Sequence, residues 1–158
     1  MVIATYNAAG IRARLPVMLD WLAHNEPDVL AIQETKVEDD KFPVSDFEEL
    51  GYNVVISGQK SWNGVALLAR GPITSFRKGF QDDMFPDDAR LIAGMVDGVV
   101  IINSYVPNGT AVGTDKFDYK MRWLQRFRRY LDENYRNDQP LVWLGDINIA
   151  PTENDVYD

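Results

Sequence analysis

Four apolar segments of the sequence each run into a polar side chain able to hold a cation or bond a phosphate. Asn7 follows VIATY, Glu34 follows DVLAIQ, Tyr105 closes VVIINSY and Asp146 follows LVWLG. Ligands of α/β sheets collect beyond the carboxyl ends of strands, so four such endings in one chain predict a shared site. Each ending also has a plain reading, because polar residues commonly close strands. Glu34 sits in QETK, where a carboxylate after a buried strand is costly unless paired or metal-bound. A salt bridge to Lys36 or a solvated strand end is its structural alternative. Hard cations such as Mg²⁺ take one or two protein carboxylates together with waters and substrate phosphates, which makes Glu34 the foremost candidate ligand. Asn7 either adds a carbonyl oxygen or orients Glu34. Tyr105 either donates its phenol proton to a phosphate oxygen or caps a core strand. Asp146 and Asn148 lie two apart, so continued extended backbone would put both on one face. The carboxylate could then orient or deprotonate a water, and the amide could donate to a phosphate oxygen. An Asx-turn closing the strand is an equal reading of the same pair. The single histidine, His24, falls at a helix end in LAHNEP and reads as a dipole partner, which leaves no histidine general base.

The elements that must position these residues follow from apolar periodicity. Strands are expected at Val2 to Tyr6, Asp28 to Gln33, Asn53 to Ser57, Val65 to Ala69, Leu91 to Val96, Val99 to Tyr105 and Leu141 to Leu144. Asp97-Gly98 predicts a type I′ hairpin between the fifth and sixth of these. Their near-continuous apolar character predicts strands covered on both faces of a layered structure. One helix is expected from about Leu15 to His24, with Pro16 near its first turn and a stripe of Leu15, Met18, Leu19 and Leu22. A second runs from about Lys116 to Tyr135, with a stripe of Phe117, Met121, Leu124, Phe127, Leu131 and Tyr135. Its basic residues (Lys116, Lys120, Arg122, Arg126, Arg128, Arg129, with Arg136 beyond) read mainly as a solvated face, a minority being able to meet a phosphate backbone.

Composition narrows the classes. The 158 residues suit one domain, and 46% hydrophobic with 25% charged residues is ordinary globular content. With no cysteine, a disulfide scaffold, a thiolate zinc site and a cysteine nucleophile are excluded. No apolar run approaches a membrane span, and MVIATYN does not read as a secretory signal, so an intracellular, cytoplasmic protein with no membrane partner is expected. A net charge of -8 argues, taken alone, against a sequence-blind DNA coater, yet acidic side chains at a metal site would also add to it.

Taken in order, TYNAAGIRAR at 5–14, PDVLAIQETKVEDDKFP at 27–43, LGYNVVISGQKSWNGVALLAR at 50–70, SYVPNG at 104–109 and LGDINIAPTENDVYD at 144–158 strongly resemble exonuclease III and the related apurinic/apyrimidinic endonucleases, within the endonuclease/exonuclease/phosphatase superfamily. The resemblance covers almost the whole chain. It implies a four-layer α/β sandwich, with two facing mixed sheets flanked by helices. It also implies that residues 1–158 form a single, truncated domain, the N-terminal part of a longer one, with sheet faces and edges left open. Members of the family are longer, and their second half adds a further aspartate and an Asp-His pair that this sequence does not contain.

The same resemblance implies roles for individual residues. Glu34 matches the metal-binding glutamate and Asn7 the asparagine beside it. Tyr105 matches the phosphate-contacting tyrosine. Asp146 matches the aspartate that activates or positions the nucleophile or protonates the leaving group, and Asn148 the asparagine that stabilises the phosphorus transition state. Arg90, in ARLI, falls where the family places an arginine near DNA, and Lys36 joins it as a DNA-binding candidate. The loop after Asn7 departs from the family's NINGL, reading Asn7-Ala8-Ala9-Gly10-Ile11. The implied activity is Mg²⁺-dependent (or Mn²⁺-dependent) DNA phosphodiester hydrolysis in base-excision repair, on double-stranded DNA with abasic sites or 3′ ends. For the 158 residues alone, little or no catalysis is expected. A phosphodiesterase or phosphatase acting on RNA or lipid phosphate is the alternative within the superfamily. A non-catalytic DNA- or protein-binding fragment is the alternative outside it.

Overall fold

The computed structural model describes residues 1–82 and 88–155. The last three residues of the matched 144–158 segment, Val156 to Asp158, lie outside them. Eight strands form two four-stranded sheets: β1 (Ile3–Asn7), β2 (Val29–Gln33), β3 (Asn53–Ser57), β4 (Val65–Ala69), β5 (Thr74–Lys78), β6 (Leu91–Val96), β7 (Val99–Tyr105) and β8 (Leu141–Asp146). The first sheet has the order β1-β2-β4-β3 and the second β5-β6-β7-β8. Helix α1 (Ile11–Asn25) covers the first sheet and α3 (Asp115–Asn134) the second, with a one-turn α2 (Val44–Glu48) beside β3.

Period-two alternation builds the four layers. Along β2, Val29 and Ala31 face the second sheet while Leu30 and Ile32 face α1. Along β7, Ile101 faces the first sheet while Val100 and Ile102 face α3. Every residue of β2 and β4 is buried, as expected for strands covered on both faces. That expectation fails for the edge strands β1 and β8, which are mostly part-covered, while β5, a strand the apolar pattern does not predict, is exposed along its length. Tyr6 of β1 and Trp143 of β8 are correspondingly among the exposed large side chains.

Each sheet contains one parallel pair, β1 with β2 and β7 with β8, and both pairs end at the site. Asn7 registers opposite Gln33, immediately before Glu34, and Tyr105 registers opposite Asp146. Parallel pairing therefore brings four carboxyl ends to one rim. Between the sheets, just beneath that rim, two fully buried amides bond each other: Gln33 Nε2 donates to Asn103 Oδ1 at 2.7 Å. Asn103 Nδ2 also donates to the carbonyls of Ile32 at 2.9 Å and Ala66 at 2.8 Å. Removing one member of such a buried set strands the others. Asn103→Leu is thus expected to destabilise the fold by about 2–3 kcal/mol, read from urea unfolding; a variant as stable as the parent would show that this bridge does not tie the sheets together.

Several boundaries differ from expectation. Helix α1 starts at Ile11, so Pro16 lies beyond its first turn. Backbone bonds fix that earlier start: Gly10 N donates to Glu34 O at 2.8 Å and Ile11 N to Thr35 O at 3.0 Å. The hairpin at Asp97-Gly98 has φ of 48° and 79°, as a type I′ turn requires. On α3 the buried face is Lys120, Trp123, Arg126, Phe127 and Tyr130, while Met121 is exposed. The helix is thus rotated from the expected stripe, and two of its basic residues point inward. No helix among the described residues is long and apolar enough to cross a membrane.

Candidate active site

The strand ends meet through one amide. Asn7 Nδ2 donates to Glu34 Oε1 and to Asp146 Oδ2, each at 2.8 Å. A carboxylate of the first sheet and one of the second thus lie within two hydrogen-bond lengths of each other. Asn7 Oδ1 is turned away, accepting from Ala9 N at 3.0 Å. Of the two roles open to Asn7, this arrangement supports orienting the carboxylates over adding a carbonyl ligand.

Glu34 stands in the left-handed region, φ 52°, as does Lys36, φ 55°. The loop is held there by neighbours: Thr35 N donates to Gly64 O at 3.1 Å and Lys36 N to Asn63 O at 2.9 Å. Gly64 is required for this approach, since a Cβ on it would stand 2.0 Å from Thr35 Oγ1, and its φ is +90°. Lys36 Nζ lies 2.8 Å from Glu34 Oε2, which is the salt bridge foreseen as the structural alternative. Burial pushes the Glu34 carboxyl up, but hydrogen bonds from Lys36, Asn7 and Tyr105 outweigh it and hold the group below the usual glutamate range. Burial, then the Glu34 charge, pushes the Tyr105 phenol up, so it stays protonated and remains a donor.

At the second sheet, β8 runs on to Asp146 and then turns. Asn148 N donates to Asp146 Oδ1 at 3.0 Å and Asn148 has φ 51°, so the pair forms an Asx-turn and extended geometry does not continue. The two side chains still face one region, because the turn folds Asn148 back. Its Nδ2 donates to Val106 O at 2.8 Å and its Oδ1 accepts from Asn108 at 3.3 Å.

Arg90 stacks on the site from behind. Its guanidinium carbon lies 4.7 Å from the Tyr105 ring centroid, and Nη1 donates to Tyr105 O at 3.2 Å. Among the described residues its Nε has no hydrogen-bond partner, the Asp88 carboxylate being 3.7 Å away. Arg90, Lys36 and Lys116 share a cleft of about 370 Å³ with Glu34, Tyr105 and the exposed Trp62. Most of the other cations on and just after α3 are neutralised. Arg126 and Arg129 bond Asp82, Arg128 bonds Asp132, and Arg136 bonds Asp138. Of the basic residues around this helix, Lys116 is the one in the cleft.

Two neighbours of the site, Trp62 and Tyr119, carry no sign of it in the sequence, and a third, Lys120, reads there as part of a solvated face. Trp62 sits in GQKSWNG, which reads only as a turn. Tyr119 donates to Asp88 at 2.5 Å, its own phenol pushed up to about 12 by burial and then by that bond. Lys120 lies beneath the loops after β7 and β8, and its one signal was position: it falls three residues before Trp123 on the buried face.

His24, the only histidine, bonds the Asp20 carbonyl at 2.7 Å on the exposed end of α1 and takes no part in the cluster. Among the described residues no group of three or more histidine, aspartate or glutamate side chains surrounds a common point. Two part-buried carboxylates side by side fit a hard, water-rich cation that completes its shell with waters and phosphate.

Comparison with known proteins shows the family and the fold. The Endonuclease/Exonuclease/phosphatase family matches over residues 4–158. Exodeoxyribonuclease III of Haemophilus influenzae is 32% identical, over 99% of this chain and 60% of that protein. A DNA-(apurinic or apyrimidinic site) endonuclease of Dictyostelium discoideum is 28% identical, over 99% of this chain and 44% of its own length. An AP endonuclease structure from Archaeoglobus fulgidus superposes with a TM-score of 0.93 at 42% identity, over the whole chain and 62% of its own. A 3′ phosphatase from Neisseria bound to a product DNA hairpin gives 0.92 at 40%, again over 62% of that chain. The chain thus spans 44–60% of the curated relatives named here.

Proposed function

Since the chain belongs to the Endonuclease/Exonuclease/phosphatase family, we propose that its strand-end cluster is a divalent-cation-dependent phosphoester hydrolase centre that acts on DNA in base-excision repair. Its substrates are double-stranded DNA with abasic sites, cleaved on their 5′ side, or 3′ ends carrying a phosphate or nucleotide. The observation that carries this reading is the Asn7 amide bonded to both Glu34 and Asp146, which joins two carboxylates from opposite sheets beside a cationic cleft.

Glu34 is the carboxylate that would hold Mg²⁺ or Mn²⁺, and such an ion would neutralise charge on the phosphate and the leaving oxygen. The chain's own groups supply part of the rest. Asp146 accepts from Asn7 Nδ2 and from the Asn148 backbone N–H, which leaves it an oriented carboxylate able to position a water or handle its proton. The second Nδ2 hydrogen of Asn148 is a donor for a phosphate oxygen as charge builds, and the Tyr105 phenol, whose one proton bonds Glu34, becomes another by turning that proton to phosphate. Lys36, Arg90 and Lys116 give the cleft a positive lining inside a protein of net charge -8, so basic surface is local while the total is acidic.

Turnover by these 158 residues alone is expected to be severely impaired, because their only imidazole, His24, lies away from the cluster. An abasic-duplex cleavage assay with Mg²⁺ reads this; near-native turnover, lost in Glu34→Ala, would overturn it. Substrate class is tested by fluorescence anisotropy with an abasic DNA duplex, an RNA of the same sequence and phosphoinositide vesicles. The expected order puts DNA tightest, with a gain on adding Mg²⁺ that disappears in Glu34→Gln. Preference for RNA or vesicles would move the chain to another branch of the superfamily. DNA binding indifferent to both EDTA and Glu34→Gln would make it a non-catalytic binding module.

A further inference from the structure

Lys120 is nine-tenths buried and its ammonium makes no ion pair among the described residues. Lysine is rarely buried without a counter-charge, and desolvating an ammonium is costly. Its acceptors are two backbone carbonyls from different loops. Nζ donates to Asn108 O, in the loop after β7, at 3.5 Å, and makes a short bond to Asn148 O, in the loop after β8. The stem is packed as well. A Cβ on Gly109, which has φ +77°, would stand 2.8 Å from Lys120 Cδ and 3.4 Å from its Cβ. The base of the helix is fixed: Thr114 Oγ1 caps Phe117 N at 3.2 Å, and the neighbouring Tyr119 is tied to Asp88. The lysine therefore projects from a rigid support into the joint between two loops.

We propose that Lys120 is a positioning residue for Asn148, clamping the β7 and β8 loops through their carbonyls so that the Asx-turn of Asp146 and Asn148 keeps its shape. The inference rests on reading that cluster as a hydrolytic centre. Asn148 needs such a hold because its φ of 51° is a sparsely populated conformation, tolerated by asparagine but not preferred. The loops' other side-chain link is a 3.3 Å bond from Asn108 to Asn148 Oδ1, together with the Asn148 bond to Val106 O. Lys120 lies beneath the loops, so it acts on phosphate through Asn148 and not by contact. A methionine of similar length would fill the same space without bonding either carbonyl.

Amide hydrogen exchange on the full chain tests this without reference to turnover. In Lys120→Met, exchange of the Asn148 N–H, the donor of the Asx-turn, is expected to accelerate about tenfold or more while amides of β2 and β4 keep their rates. Lys120→Arg should restore most of the protection. Gly109→Ala, which presses on the lysine stem, should shift Asn148 in the same direction from an independent site. Where cleavage is measurable, the single-turnover rate should fall about tenfold or more with DNA affinity little changed, as misplacement near the reacting atoms does. Unchanged Asn148 exchange in Lys120→Met would overturn the proposal. Equal acceleration of all amides would also overturn it, since that marks a general stabilising role. Loss of Asn148 protection in a chain that ignores DNA would instead retain the clamp and remove the hydrolytic reading.

Discussion

Glu34→Gln is expected to weaken divalent-cation binding about a hundredfold, on the order of 3 kcal/mol, with the fold intact. Glutamine keeps the shape and can still face Asn7 and Tyr105, but it removes the charge that a hard cation needs. In the parent that charge is already secured. Burial works against it, and the hydrogen bonds from Lys36, Asn7 and Tyr105 more than reverse the effect. Titration calorimetry with Mn²⁺ reads the affinity; an unaltered value would place the ion elsewhere. A pH effect follows with a defined sign. Because the folded-state pKa of Glu34 is depressed, its stabilisation is present above the ordinary glutamate range and is lost as pH falls through and below that range. Thermal unfolding of Glu34→Gln should therefore lie below the parent near neutrality and converge with it in acid. Curves that keep a constant offset down to acid pH would show that the charge of Glu34 contributes nothing to stability.

Gly145→Ala should cost on the order of 3 kcal/mol or more, because a strained backbone and an overpacked contact coincide there. Gly145 has φ +128°, a region that side-chain-bearing residues avoid. A Cβ on it would lie 2.1 Å from Ser104 O and 2.9 Å from Ser104 N, both backbone atoms of the paired strand β7. Neither can swing aside as a side chain would, so β8 must separate from β7 at its last residue. Asp146 is that residue, and its bond to Asn7 would be the first lost. Urea unfolding measures the cost, and a midpoint equal to the parent's would mean that the strand end is looser than this packing implies.

Much of this arrangement was legible from residue types, for identifiable reasons. Strands β3, β4, β6 and β7 have the expected limits because their apolar runs are bounded by turn residues, as at Asp97-Gly98. The convergence of Asn7, Glu34, Tyr105 and Asp146 follows from a general property of strand ends, and parallel pairing within each sheet brings it about. Strand β5 could not be read, since TSFRK is exposed throughout and has no buried period to announce it. The turn at Asn148 was one of two readings of a two-residue spacing, and a backbone bond to Asp146 decides between them. The inward turn of Lys120 and Arg126 was hidden for a different reason. Partners supplied from distant segments, Asp82 for Arg126 and the Asn108 and Asn148 carbonyls for Lys120, override the polarity that would put both residues in solvent.

Paramagnetic broadening by Mn²⁺ across the backbone amides of the full chain, with a 3′-phosphorylated DNA hairpin present, asks whether strand ends from the two sheets form one cation and phosphate site. Broadening should centre on Asn7, Glu34 and Asp146 together, extend to Tyr105 and Asn148, and vanish in Glu34→Gln. Broadening confined to surface acids such as Asp39 and Asp40, or persisting unchanged in Glu34→Gln, would contradict it.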